Sequence, residues 1–247
     1  MDRSQIFATV DTVAPGIGTG VFSLIHFSVL IFLGLIIYGI IRQFKLSDRA
    51  TRDKIIAGVA VFAILNELLK DVYLAVLGQF SWANLPFHLC GINIIVIAIY
   101  LVTRKAHLAE WLYAMGLPGG LVALISPDWA ELPVANIMFW QANTIHATLV
   151  LLPILLLIDG FRPHGKRFLK VLPWFLGIAA VIYPLNKLLN TNFLFMNWAP
   201  IGTPFEMFEH RLGNPGYLIA FAALFGLCWF MMYLPWREKG QSIKEIA

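Results

Sequence analysis

The chain has 247 residues, of which 59% are hydrophobic and only 13% charged, with a mean hydropathy of +0.76, whereas water-soluble domains run at about 45–50% apolar and about 25% charged. A soluble enzyme is excluded, and at about 20 apolar residues per span the length supplies six to eight membrane spans with no room for an added soluble domain. The net charge of +4 does not indicate a nucleic-acid partner, because the basic residues are not gathered into one patch with aromatic interleaving.

Apolar runs predict an all-α polytopic membrane protein, a single transmembrane domain over residues 1–247 built as a seven-helix transmembrane bundle. The runs are 20–41, 55–77, 86–103, 108–126, 137–158, 168–189 and 215–235. The first is too long for a signal-peptide core and lacks a small-x-small cleavage site, so it reads as an uncleaved span. The connection after it holds Arg42, Lys45, Arg49, Arg52 and Lys54. That after the third holds Arg104 and Lys105, and that after the fifth holds Arg162, Lys166, Arg167 and Lys170. With Arg237, Lys239 and Lys244 of the tail, 14 of the 18 basic residues fall in alternate connections. The positive-inside rule then predicts these loops and the C-terminus in the cytoplasm, with the N-terminus outside. In the fourth run, Gly116, Pro118, Gly119 and Gly120 predict a kinked or discontinuous helix. The connection from Asn190 to Asn214, with Phe193, Phe195, Trp198, Phe205 and Phe208, reads as an aromatic belt along the membrane interface.

Ionisable and strongly polar side chains inside spans are costly, and each is a functional candidate by default. At about 1.5 Å per residue, Cys90, Asn186, His26, Lys70, Glu67 and His146 lie roughly 5–15 Å from the outer edges of their spans. This clustering predicts a polar cavity in the outer half. His107, His164 and His210 fall in loops and read as solvated.

Cys90 sits near the start of the third run, after Pro86, where free backbone N–H groups and the positive end of the helix dipole favour a thiolate. Asn93 shares its face, whereas His88, two residues away, points elsewhere. His146 is therefore the better partner, since a neutral imidazole can take a thiol proton and later protonate a leaving oxygen. The plainer readings stand beside these: a small apolar cysteine in the core, like Cys228, and a histidine that bonds a neighbouring helix. Glu67, Lys70 and Asp71 share one helical face, as an internal ion pair or as a contact for a lipid headgroup. His26, His88, His146 and Glu67 lack the close spacing of a metal site, so neither a metal nor any other cofactor is expected.

The chain resembles the YwaF-type bacterial integral membrane proteins, related to a eukaryotic cysteine/histidine membrane acyltransferase that remodels ether phospholipids. The resemblance rests on Ser23-Leu24-Ile25-His26, Leu85-Pro86-Phe87-His88-Leu89-Cys90, Tyr113-Ala114-Met115-Gly116-Leu117 leading to Pro127-Asp128, His146, and the segment from Asn186 to Phe193. It departs from the family where Ile145 and Ala147 flank His146 in place of serine and glycine, and where Leu212-Gly213-Asn214-Pro215-Gly216 replaces an aromatic-proline segment. The resemblance implies that Cys90 and His146 pass an acyl group through a thioester. His26, Glu67, Lys70, His88, Asn93, Asn186 and Asn192 would support the pair or bind substrate. The expectation is a lipid acyltransferase of the bacterial cytoplasmic membrane, also able to act as a lipid hydrolase, with membrane lipids as partners and no soluble partner. The alternatives are a small-molecule or lipid transporter with the broken fourth span and the Glu67/Lys70 pair lining its pathway, and a noncatalytic membrane sensor or scaffold.

Overall fold

Lipid offers no hydrogen bonds to the backbone, so apolar runs must satisfy their own N–H and C=O groups. A computed structural model describes residues 3–200 and 203–236, and among them there is helix and no strand. The principal helices are α1 (Leu24–Leu46), α2 (Arg49–Val76), α3 (Leu89–Thr103), α4 (Ala106–Trp111), α5 (Leu117–Ile125), α6 (Ile137–Ile158), α7 (Gly165–Leu189), α8 (Pro204–Gly216) and α9 (Leu218–Tyr233). Five helical stretches are long and apolar enough to cross a membrane: α1, the continuous stretch Ala106–Ile125, α6, α7 and Leu218–Trp236. Two others match predicted runs but fall short of that standard. α3 has 15 residues, and α2, with 28, carries Glu67, Lys70 and Asp71.

Stretch Ala106–Ile125 and α6 form the interior, while α1, α7 and α9 turn apolar side chains such as Ile31, Val181 and Ile219 outward. Large exposed apolar faces of this kind suit lipid as solvent. The chain is a multi-pass membrane protein, and its lipid-facing surface is carried by these outer helices.

The fourth run is not broken. A π-helical turn, Leu112–Gly116, joins α4 to α5, with the Leu117 N–H donating to the Leu112 carbonyl. The wider turn absorbs the disturbance that Pro118 brings. The Ala114 carbonyl lies four residues before Pro118, whose nitrogen has no hydrogen to give it, and it accepts the Trp229 indole N–H at 2.8 Å. Gly120 lets α5 approach α6 closely, since a Cβ there would lie 2.9 Å from the His146 carbonyl oxygen and 3.1 Å from Leu149 Cβ.

α3 begins at Leu89 rather than Pro86, because the Leu85-Pro86-Phe87 segment folds back over its first turn. A Cβ on Gly91 would lie 2.8 Å from Pro86 Cα. The aromatic connection after α7 is also only partly a belt. Phe193 is fully buried, whereas Trp198 and Phe208 remain exposed.

Three basic connections meet at one end of the bundle. Arg49, at the start of α2, pairs with Asp159 beyond α6 at 2.9 Å. Glu110 of α4, fully buried, accepts from Arg167 Nε at 2.8 Å, the His164 N–H at 3.1 Å and the Tyr233 hydroxyl at 2.5 Å. Buried polar groups are therefore not confined to the opposite end, and His164, read from sequence as solvated, caps α7 by accepting from the Lys166 N–H. Arg237, Lys239 and Lys244 lie outside the described residues.

At the other end, the segment preceding α1 is bonded across the bundle. The Asn136 amide donates to the Gln5 and Ala8 carbonyls, both at 2.8 Å, and the Tyr73 hydroxyl donates to the Phe7 carbonyl. Gly20 N–H and the Thr19 hydroxyl both reach the Ala130 carbonyl. Gly18 crosses so close that a Cβ would lie 2.5 Å from that oxygen.

Two substitutions test these contacts by thermal unfolding of the purified protein in nanodiscs. Gly120→Ala forces α5 and α6 apart and costs about 1–3 kcal/mol by overpacking. Glu110→Gln removes the charge that gathers Arg167, Tyr233 and the His164 N–H and costs about 1–3 kcal/mol, moderated because Arg167 can turn to water.

Candidate active site

α2, α3, α6 and the loop after α5 bring the titratable side chains of one end together around Lys70. Its ammonium forms an ion pair with Glu67 one helical turn earlier, and Asp71 Oδ1 lies at 3.3 Å. The sequence-predicted face of Glu67, Lys70 and Asp71 is thus a compact charge cluster. Glu67 turns its second oxygen toward α6, where Gln141 Nε2 donates at 3.4 Å. Asn66 Nδ2 donates to Thr144 Oγ1 at 3.0 Å in the same α2–α6 seam. Lys70 is the shared electrostatic neighbour of Cys90, His88 and His146.

Cys90 is the second residue of α3 and half-buried, with the cap at His88. The His88 side chain packs against aromatic rings, edge-on to Phe193 at 5.2 Å and tilted to Phe195 at 5.9 Å.

The α6 backbone fixes the tautomer of His146. Its Nδ1–H donates to the Ala142 carbonyl, four residues back, at 2.7 Å. A carbonyl can only accept, so Nδ1 carries the proton and Nε2 keeps its lone pair in the neutral ring. Trp129 lies flat on this imidazole, with centroids 4.7 Å apart and planes 16° from parallel. The neighbouring Asp128, which makes no ion pair among the described residues, lies within electrostatic reach of both His146 and Cys90.

The remaining predicted site residues do other work. His26 uses both ring nitrogens, accepting the Phe22 N–H at Nδ1 (3.0 Å) and donating from Nε2 to the Leu124 carbonyl (2.9 Å). It ties the start of α1 to the end of α5. Asn93, fully buried, donates to the Leu89 carbonyl and accepts the Trp111 indole N–H at 3.1 Å, directly against Gly116. Asn186 is also fully buried and accepts the Phe193 N–H and the Thr191 hydroxyl while donating to the Phe193 carbonyl. Asn192 accepts from the Asn197 and Trp198 N–H groups. Both asparagines shape the turn that places Phe193 against Phe87 and His88, so they touch the site only through that ring.

Asp128 and Trp129 were not singled out as site residues by sequence reasoning. A carboxylate and an indole in a loop carry no hydropathy signal, and only their place in a short Pro127-Asp128 motif marked the region. Among the described residues no three His, Cys, Asp or Glu side chains form a metal-binding group. A cavity of about 300 Å³ lies apart from this cluster. It is an apolar groove between α1 and the start of α6, lined by residues including Leu24, Val29, Phe32 and Trp140.

An uncharacterized protein of Treponema pallidum (strain Nichols) is 27% identical over 171 residues, covering 67% of this chain and 68% of its own length. No solved structure matches. A model of the TMEM164 family matches residues 19–233. The match runs from the segment before α1 to the end of α9 and includes every residue of the cluster around Lys70, and the chain belongs to the TMEM164 family.

Proposed function

We propose that this protein is a membrane-embedded lipid acyltransferase in which Cys90 is the nucleophile and His146 the general base, with hydrolysis as the side reaction when water replaces the lipid acceptor. The observation that carries the reading is the tautomer of His146. The Ala142 carbonyl holds the proton on Nδ1 and leaves Nε2 unprotonated. That is the form a general base needs. The base and the thiol lie among the same charged groups, Lys70 and Asp128.

In the first half-reaction His146 Nε2 takes the thiol proton as sulfur attacks the carbonyl carbon of a lipid ester. The carbon–sulfur bond forms, the ester carbon–oxygen bond breaks, and the departing oxygen recovers the proton from the imidazolium. In the second, His146 takes the proton of an acceptor hydroxyl, whose oxygen attacks the thioester, and returns it to the sulfur. The products are a new ester and the free thiol. Asp128 stabilises the transient imidazolium across space, and Lys70 stabilises the thiolate as it forms. Apolar walls keep water scarce around the thioester.

On this reading the bundle has seven spans, α2 and α3 included. The basic connections face the cytoplasm of a bacterial cell, and the Cys90 end faces outward. A transporter pathway would be lined by the fourth span and the Glu67–Lys70 pair, and the helical continuity of Ala106–Ile125 favours the enzyme reading over it.

The test uses purified full-length protein in nanodiscs supplied with a labelled phospholipid and a lysolipid. Intact-mass and peptide spectrometry of the wild type finds an acyl adduct on Cys90. Cys90→Ser and His146→Gln each lower acyl transfer by roughly 10²–10⁴ while the helical content is kept. Transfer at the wild-type rate in both variants refutes the assignment.

A further inference from the structure

Acyl transfer through a thioester places negative charge on the substrate carbonyl oxygen each time the carbon becomes tetrahedral, and a donor pre-aimed at that oxygen is worth more than the same donor in water. The residues named so far supply a nucleophile, a base and two charges. None is a neutral donor held free for that oxygen.

Three buried side-chain polar atoms among the described residues have no hydrogen-bond partner: Asp71 Oδ1, Gln79 Oε1 and Trp129 Nε1. Two are acceptors, and Asp71 has the Lys70 ammonium at 3.3 Å. Trp129 Nε1 is the only donor of the three. An indole N–H can donate and cannot accept, and leaving it unpaired in an apolar setting costs about 1–3 kcal/mol. Other tryptophans in this chain meet that need with backbone carbonyls: Trp140 donates to Val134, and Trp229 to Ala114. Trp129 is 5% exposed, so water does not readily serve it. Its ring is stacked on His146, with centroids 4.7 Å apart and planes 16° from parallel, so the unpaired donor belongs to the side chain that covers the imidazole. Asp128, the adjacent residue, is within electrostatic reach of Cys90 and His146. A buried orphan donor needs an explanation, and here it lies against the ring assigned as the base.

We propose that Trp129 is a catalytic residue whose indole N–H donates a hydrogen bond to the oxygen of the reacting acyl carbonyl. This rests on the Cys90–His146 reading and adds to it the group that receives developing charge. When sulfur attacks, the carbonyl π electrons move onto oxygen and the Trp129 hydrogen bond strengthens. When the carbon–oxygen bond of the leaving group breaks, the electrons return and the bond relaxes. No proton leaves the indole, and the same cycle repeats as the acceptor oxygen displaces sulfur. The stacking has a second use, since it keeps the indole against the base throughout the cycle.

The experiment compares full-length wild type, Trp129→Phe, and protein carrying benzothienylalanine at 129, an indole isostere with sulfur in place of the N–H. All are assayed in nanodiscs with the same labelled phospholipid and lysolipid. Both replacements lower kcat by about 10²–10³, the usual loss on removing one such donor, with KM changed less than about threefold. Alkylation of Cys90 by a water-soluble maleimide in a Cys228→Ala background stays within about twofold of wild type, which shows that the site is intact. The isostere keeps the shape and the stack, so its loss of kcat identifies the N–H itself. Wild-type kcat with benzothienylalanine overturns the proposal, as does a defect expressed wholly in KM. Absence of any Cys90 acyl adduct in the wild type overturns the acyltransferase reading instead, so the two failures are distinguishable.

Discussion

The close approach of α5 to α6 governs the arrangement around Cys90. Gly120 brings the α5 backbone against the His146 carbonyl, and Gly116 sits against Asn93. Without these two missing side chains, three helices could not converge. Asn93 holds the first turn of α3, the Ala142 carbonyl sets the tautomer of His146, and the loop leaving α5 returns with Trp129 flat on the imidazole. The placement of Cys90, the tautomer of His146 and the indole that covers that ring thus all lie beside these two close approaches. Such approach is common where lipid gives helices no hydrophobic reason to associate and dispersion contacts must do so.

The two ends of the bundle satisfy buried polarity differently. Around Glu110, each oxygen of one carboxylate meets a donor from a separate element, and the result is a closed knot joining α4, α7 and α9. Around Lys70 satisfaction is incomplete: among the described residues Asp128 has no ion-pair partner, and an indole N–H remains unpaired. Full satisfaction fits a structural clasp, whereas unspent hydrogen-bonding capacity fits a place where another molecule is handled.

Much of this was legible in the sequence, for identifiable reasons. Hydropathy located the helices because a span must be apolar over most of its length, and basic residues marked the connections that meet at one end. The spacing of Glu67, Lys70 and Asp71 gave their shared face directly. What escaped was whatever depends on the third dimension. His26 looks like a site residue until both of its nitrogens are found bonded to backbone, and Asn186 and Asn192 prove to build a turn. Glu110 lay within a predicted run but near its edge, where a single carboxylate passes for a loop residue. Gly116, Pro118, Gly119 and Gly120 predict a kinked or discontinuous helix, and in the structure a π turn absorbs the proline while Gly116 and Gly120 serve contact. Composition reports that a helix is weak there, and only packing reports what compensates.

α2 has a consequence for how the protein is made. On the seven-span reading, it is the helix least able to enter lipid alone, because Glu67, Lys70 and Asp71 lie on it. The groups that accommodate its polar face, Gln141 and Thr144, belong to α6, some 70 residues further along the chain. The ribosome must therefore finish most of the bundle before α2 has its proper neighbours. Until then it must wait at the edge of the translocation machinery, or be held by α1, which ends only two residues before it begins. Assembly of this membrane domain is accordingly a cooperative event that waits for α6, rather than a series of independent insertions.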